Sequence, residues 1–152
     1  MRVENLIEHP EAIAQLARWH YDEWNHLYPD QSLQDFIDDL RRSLDSAPIP
    51  ATWVLVDQDG VWGSASVIEQ DMTSNRHLSP WLASVYVHPD KRGRGLGQQL
   101  ITAVMEHCRE NGLVELYLFT PGQEDFYLRL GWTVLKREIY HGDKVTIMTA
   151  RL

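Results

Sequence analysis

Between Lys91 and Gly97 the chain carries three glycines and three cations in seven residues, "KRGRGLG". A strand-like run, "WLASVYV" (Trp81 to Val87), leads into it, and a helical stripe, Leu100, Ile101, Val104, Met105 and Cys108, leads out. A strand that passes into a helix through glycines lays that helix over its own sheet, which restricts the chain to architectures mixing the two. The first N–H groups of such a helix have no internal partner and lie at the positive end of its dipole. Glycines before that end let a ligand approach the backbone without meeting Cβ atoms. The combination is an anion site suited to phosphate, and Lys91, Arg92 and Arg94 add charge. The same residues also suit a basic, solvated turn with a glycine-rich cap. Two phosphate-loop patterns are excluded: Gln98 and Leu100 break G-x-G-x-x-G, and no Gly-Lys-Ser/Thr follows.

Around this unit the periodicity predicts the order β-α-α-β-β-β-α-β-α-β-β. A short strand is expected over Val3 to Ile7. A helix opened by Pro10 then carries Ile13, Leu16, Ala17, His20, Trp24 and Leu27 on its inner face. Ser32 and Asp35 resemble a capping box before a stripe of Leu33, Phe36, Ile37, Leu40 and Leu44. "TWVLVDQ" and "VWGSASVIEQ" flank Asp59-Gly60 as a hairpin. "VELYLFT" is a strand, "GQEDFYLRLG" a short helix, and "TVLKREIY" pairs with "KVTIMTARL" across His141, Gly142 and Asp143. The expected fold is α/β (α+β): a mixed sheet with helices on both faces, in one domain spanning 1–152.

Charge and cysteine content remove several function classes. The formal net charge of −8 disfavours a non-specific nucleic-acid binder, despite the cations at 91, 92 and 94. Cys108 is the only cysteine, so no internal disulfide forms, and its place on a core stripe suits a packed thiol. The histidines lack metal-ligand spacing, so no metal is expected. No apolar run approaches a membrane span, and "MRVENLIEHPEA" has no signal-peptide core. The expectation is a cytoplasmic protein without a nucleic-acid or membrane partner, with a homodimer left open.

The glycine stretch resembles the coenzyme A signature of the GNAT N-acetyltransferase superfamily, Arg/Gln-x-x-Gly-x-Gly/Ala, with Arg92, Gly95 and Gly97 at its defined positions. "DFYLRLGW" (Asp125 to Trp132) is similar to the family's second landmark, a Phe-Tyr pair before a Gly-aromatic pair. The element order extends the resemblance over nearly the whole chain.

The resemblance implies a GNAT fold with a splayed strand pair. It also implies acetyl transfer from acetyl-CoA, a co-substrate, to a primary amine of a small molecule or peptide by direct attack. Arg92, Gly93, Arg94, Gly95, Leu96, Gly97 and Gln98 would hold the pyrophosphate. Val85, Tyr86 and Val87 would face pantetheine, with a backbone N–H near Val87 polarising the thioester carbonyl. Tyr127 would protonate the departing thiolate, since a phenol of pKa about 10 is protonated at neutral pH. Many family members place a glutamate on the strand before the glycines; "WLASVYV" has no carboxylate. Glu69, at the end of the preceding strand, is the first substitute base and Asp71 the second. Trp24, Trp81 and Ser84 are candidate acceptor contacts, with core packing the competing role for Trp24. The alternative function is a coenzyme A-binding sensor or partner-docking module without catalysis, in which Tyr127 has no proton to give.

Overall fold

The computed structural model describes all 152 residues. Its elements follow the expected order: β1 (Arg2–Asn5), α1 (Ile13–Trp24), α2 (Leu33–Arg42), β2 (Ala51–Asp57), β3 (Gly60–Ile68), β4 (Trp81–Val87), α3 (Leu96–Glu110), β5 (Glu115–Thr120), α4 (Glu124–Arg129), β6 (Thr133–Tyr140) and β7 (Asp143–Arg151). Two expected boundaries shift. The first strand stops at Asn5 because the Asn5 side chain caps a tight 3-10 turn over Leu6–Glu8, its Oδ1 accepting the Ile7 N–H at 2.9 Å. The helix opened by Pro10 is α-helical only from Ile13 to Trp24, with 3-10 turns at both ends. At α2, Ser32 and Asp35 exchange both capping-box hydrogen bonds. His141 (φ +48°) and Gly142 (φ +87°) form the two-residue turn from β6 to β7, so Asp143 opens β7 rather than belonging to the turn.

Seven strands form one sheet in the order β1-β2-β3-β4-β5-β7-β6. Every neighbouring pair is antiparallel except β4 and β5. Alternation along β2 divides the core between the two faces. Ala51 and Leu55 pack with Leu100, Ile101 and Val104 of α3, while Val54 and Val56 pack with Leu16 and Ala17 of α1 and Phe36 and Leu40 of α2. A third cluster, with Trp81, Tyr140, Val145 and Ile147, closes the sheet beyond α1.

The parallel pair is the irregular place. β4 and β5 share a single register pair, Trp81 with Tyr117, whereas β5 pairs with β7 over its full length from Glu115 to Thr120. Beyond Trp81 the two strands splay apart. On its other side β4 bulges: Ser64 faces Tyr86 but Ser66 faces Ala83, leaving Ser84 and Val85 against one residue of β3. The bulge resets the alternation. Leu82, Val85 and Val87 all pack on the α3 face, and the Tyr86 ring stacks on Trp19 of α1, their centroids 5.7 Å apart.

Gly63 keeps β3 close to β4 at this point. A Cβ there would lie 2.5 Å from the Tyr86 carbonyl oxygen and 3.3 Å from Val87 Cα, both backbone atoms. Gly63→Ala is therefore expected to cost about 1–3 kcal/mol, the range for overpacking a tight interior. Gly122→Ala, where a Cβ meets nothing within 4 Å, is the comparison. Urea midpoints of the two variants measure the difference, and equal midpoints would show that β4 yields freely.

Candidate functional site

The splay between β4 and β5 opens into a cavity of about 1120 Å³. One part of its lining is the end of β4, the glycine loop, the end of β5 and α4; the other is α1, α2 and the segment after β3. The backbone that joins them is the β4 bulge. Ser84 sits there at φ +54°, a conformation non-glycine residues rarely hold unsupported. Its support is a short relay. Ser64 Oγ donates to the Ser84 carbonyl at 2.8 Å, and so accepts in turn from His20 Nε2, also at 2.8 Å. Burial holds His20 neutral by pushing its pKa down to about 3, which leaves one N–H to donate and fits the relay. His20 was placed by sequence on the inner face of its helix, but its partner lies 44 residues away.

In the glycine loop, Gly93 (φ +78°) and Gly95 (φ +73°) are left-handed, and a Cβ at either would meet nothing within 4 Å. The bare backbone therefore faces open space just before the first turn of α3, which begins at Leu96. The three cations are not pooled. Arg92 donates Nε to the Val87 carbonyl at 2.8 Å and lies over the Tyr86 ring. Lys91 is engaged by Asp57 at 3.7 Å and sits 4.7 Å from the centre of the Trp62 ring. Arg94 lies outside the cavity, in a small hollow with Gly95, Gln98, Gln99 and Thr102 on the outer side of the loop. Val85, Tyr86, Val87, Arg92, Gly93, Gly95, Leu96, Gly97 and Gln98 all line the main cavity.

Tyr127 faces the same cavity from α4 and is 8% exposed. Its ring packs edge-on against Phe126 and Trp132, and burial alone raises its pKa well above the ordinary phenol value. The short helix ends at once: Trp132 N–H closes back on the Tyr127 carbonyl at 3.1 Å, with Gly131 left-handed between them.

In the other part of the cavity Trp24, Tyr28, Phe36, Phe119 and Tyr140 contribute rings. Tyr28 donates its hydroxyl to Asp71 Oδ1 at 2.5 Å. Burial pushes the Asp71 carboxyl up to about 7; the Tyr28 hydrogen bond pulls against this and the charge of Asp39 adds to it. Glu69 also lines the cavity but is exposed, and its backbone carbonyl accepts from the Ser79 hydroxyl at 2.8 Å. Ser84 and Trp24 line the cavity as well.

Trp81 does not reach it. The ring is fully buried at the closed end of the splay, and its Nε1 donates to the Leu78 carbonyl at 2.8 Å. As the residue where β4 and β5 still pair, it belongs to the core and is no acceptor contact. Cys108 is buried with its thiol pKa raised to about 11, a poor nucleophile. No cluster of three or more histidine, cysteine or carboxylate side chains suits a metal ion, and no helix is long and apolar enough to cross a membrane. Two connections lay beyond the sequence reading, the His20–Ser64–Ser84 relay and the pairing of Tyr28 with Asp71. The signal available for the second was an aromatic-acidic helix end and a carboxylate just past a strand.

Residues 48–134 match the family model described as an acetyltransferase (GNAT) domain. Over 63 residues the chain is 32% identical to an uncharacterized N-acetyltransferase, ycf52-like, of Prochlorococcus marinus. That match takes in 41% of this chain and 35% of the relative, about a third of the relative's length. Among solved structures, an aminoglycoside 6'-N-acetyltransferase complexed with coenzyme A superposes with a TM-score of 0.77 at 16% identity, over 99% of this chain and 97% of the other. A ribosomal-protein-alanine N-acetyltransferase from Brucella melitensis superposes with a TM-score of 0.76 at 16% identity over 100% of both chains.

Proposed function

The chain belongs to the GNAT acetyltransferase family, and from that premise we propose that it moves an acetyl group from acetyl-CoA to a primary amine of a small molecule or peptide by direct attack. One observation carries the reading: the splayed strands, the glycine loop and a buried tyrosine share one cavity. The loop suits the donor's phosphates. Gly93 and Gly95 present backbone without side chains toward open space, and α3, 15 residues long, supplies the positive end of a helix dipole. Val85 to Val87, which line the cavity beside the opened edge of β4, suit the hydrogen-bonding arm between phosphates and thioester.

The chemistry balances with this chain's residues. The neutral amine's lone pair forms the N–C bond at the thioester carbonyl. The tetrahedral intermediate collapses with cleavage of C–S, the nitrogen loses a proton to Glu69, directly or through a water, and the sulfur leaves as a thiolate that takes one. Tyr127 is the donor to that sulfur. Its raised pKa keeps the phenol protonated throughout the neutral range, so the proton is in place when the C–S bond breaks. A sensor that only bound coenzyme A would have no need of this phenol in the cavity.

The donor site is tested by Gly95→Asp. Aspartate tolerates the left-handed conformation better than most residues, so folding is expected to survive while a carboxylate enters the phosphate site. Titration calorimetry with acetyl-CoA is expected to show at least about a tenfold loss of affinity. An unchanged affinity would remove the glycine loop from the reading.

A further inference from the structure

Resting on the acetyltransferase reading, we infer that the acceptor end of the cavity is built on the Tyr28–Asp71 pair to take an amine with one positive charge and an apolar or aromatic body. The ammonium group would lie against Asp71.

The first support is an imbalance. Asp71 is held by a hydrogen bond from Tyr28 to Oδ1, and no lysine, arginine or histidine lies within ion-pair distance of it, since none of the ion pairs includes it. A desolvated carboxylate without a counter-cation is costly. Below about pH 7 the free protein avoids the cost by protonation. A bound ammonium supplies what the site lacks, with Oδ2 as the free acceptor.

The second support is the wall. The Tyr28 ring meets Phe36 at 5.8 Å and Phe119 at 6.5 Å, and Phe119 meets Tyr140 at 5.4 Å, measured between ring centres. All four rings line the cavity. They offer apolar contact to a carbon skeleton and π-faces to a cation.

The third is the count of available charges. The other groups facing this region are His20 and Glu23 from α1, Asp39 and Arg42 from α2, Glu69 and Arg76 from the segment after β3, and Tyr140 from β6. Asp39 is paired with Arg42, Glu23, Asp39 and Glu69 are all exposed, and His20 is neutral. Asp71 is therefore the one carboxyl of this lining that is not exposed; it is half-buried and without a cation beside it, which matches one ammonium and not a row of them.

Calorimetric titration of the full chain with 2-phenylethylamine, and separately with spermidine, decides the matter. At pH 8 the aryl amine is expected to bind at least tenfold more tightly than the polyamine. Both amines stay protonated between pH 6 and 8, so the change in affinity follows Asp71. Binding of 2-phenylethylamine should weaken about tenfold from pH 8 to pH 6, as the carboxylate takes up its proton. Asp71→Asn should lose that binding by at least tenfold and flatten the pH dependence, while keeping its affinity for coenzyme A as proof of an intact fold. Tighter binding of spermidine to the wild-type chain overturns the proposal without reference to any variant. So does a defect that appears in Glu69→Gln and not in Asp71→Asn. Failure of coenzyme A to bind the wild-type chain would instead strike the acetyltransferase reading, leaving the amine titrations to decide this one.

Discussion

Tyr127→Phe is expected to lower turnover by about 10²–10⁴-fold, the usual worth of a positioned general acid, with fold and acetyl-CoA affinity nearly unchanged. The substitution removes one oxygen and keeps the ring that packs on Phe126 and Trp132. No other interaction raises the phenol's pKa besides burial, so losing the hydroxyl strands no buried partner. The defect should fall on the chemical step, where the thiolate forms, and not on binding. Single-turnover release of thiol, measured on a verified amine acceptor with chemistry limiting, separates the two. Because the phenol's pKa lies well above the ordinary value, the wild-type profile should also lack a basic limb from this group below about pH 10. A variant with full single-turnover rate would reduce Tyr127 to a packed aromatic and favour a coenzyme A-binding module.

The parts of this protein that were legible in its sequence are those whose physics is local. Period, caps and turn residues sufficed for the order of all eleven elements, because each depends on neighbours a few positions away. The Ser32–Asp35 capping box formed where those residues stand, and the β2–β3 turn formed one residue early, over Gln58 and Asp59, with Gly60 opening β3. The glycine loop was legible for the same reason: the left-handed positions 93 and 95 carry glycine.

What stayed hidden depends on residues brought together from far apart. Tyr28 and Asp71 are separated by 43 positions, and His20 and Ser64 by 44. No periodicity carries such a pairing. The bulge in β4 was equally silent, since serine at position 84 gives no local sign of a positive φ. Strict alternation puts Trp81, Ala83, Val85 and Val87 on one face, but the bulge moves Val85 and Val87 onto the α3 side with Leu82. Trp81 was hidden for another reason: the one register pair between β4 and β5, with Tyr117, buries its ring. Tertiary pairing, which opens the sheet on one side of β4 and slips it on the other, therefore decides which side chains the cavity receives.

Asp71→Asn is expected to make the protein more stable at pH 8, by roughly 2–4 kcal/mol, and no more stable near pH 3. The carboxyl moves from an ordinary 3.8 to about 7 on folding, and each pKa unit corresponds to about 1.36 kcal/mol. The full displacement is then roughly 4 kcal/mol, and water reaching the cavity lowers it. The sign follows from proton binding. Between pH 3.8 and about 7 the folded chain holds this proton more tightly than the unfolded one, so wild-type stability falls as pH rises through that window and levels off above it. Asparagine has nothing to titrate and can still accept from Tyr28. Glu4, Asp57 and Glu124 carry lowered pKa values and drive stability the other way, but they are common to both proteins and cancel in the difference. Urea midpoints at pH 3, 6 and 8 give that difference directly, and a gap that does not widen with pH would mean that the carboxyl is well solvated. A site that holds an unpaired carboxyl at this cost is poised for a cationic partner. The variant that gains stability is therefore also the one expected to lose the amine, and the two effects should share one pH dependence, because both report the ionisation of Asp71.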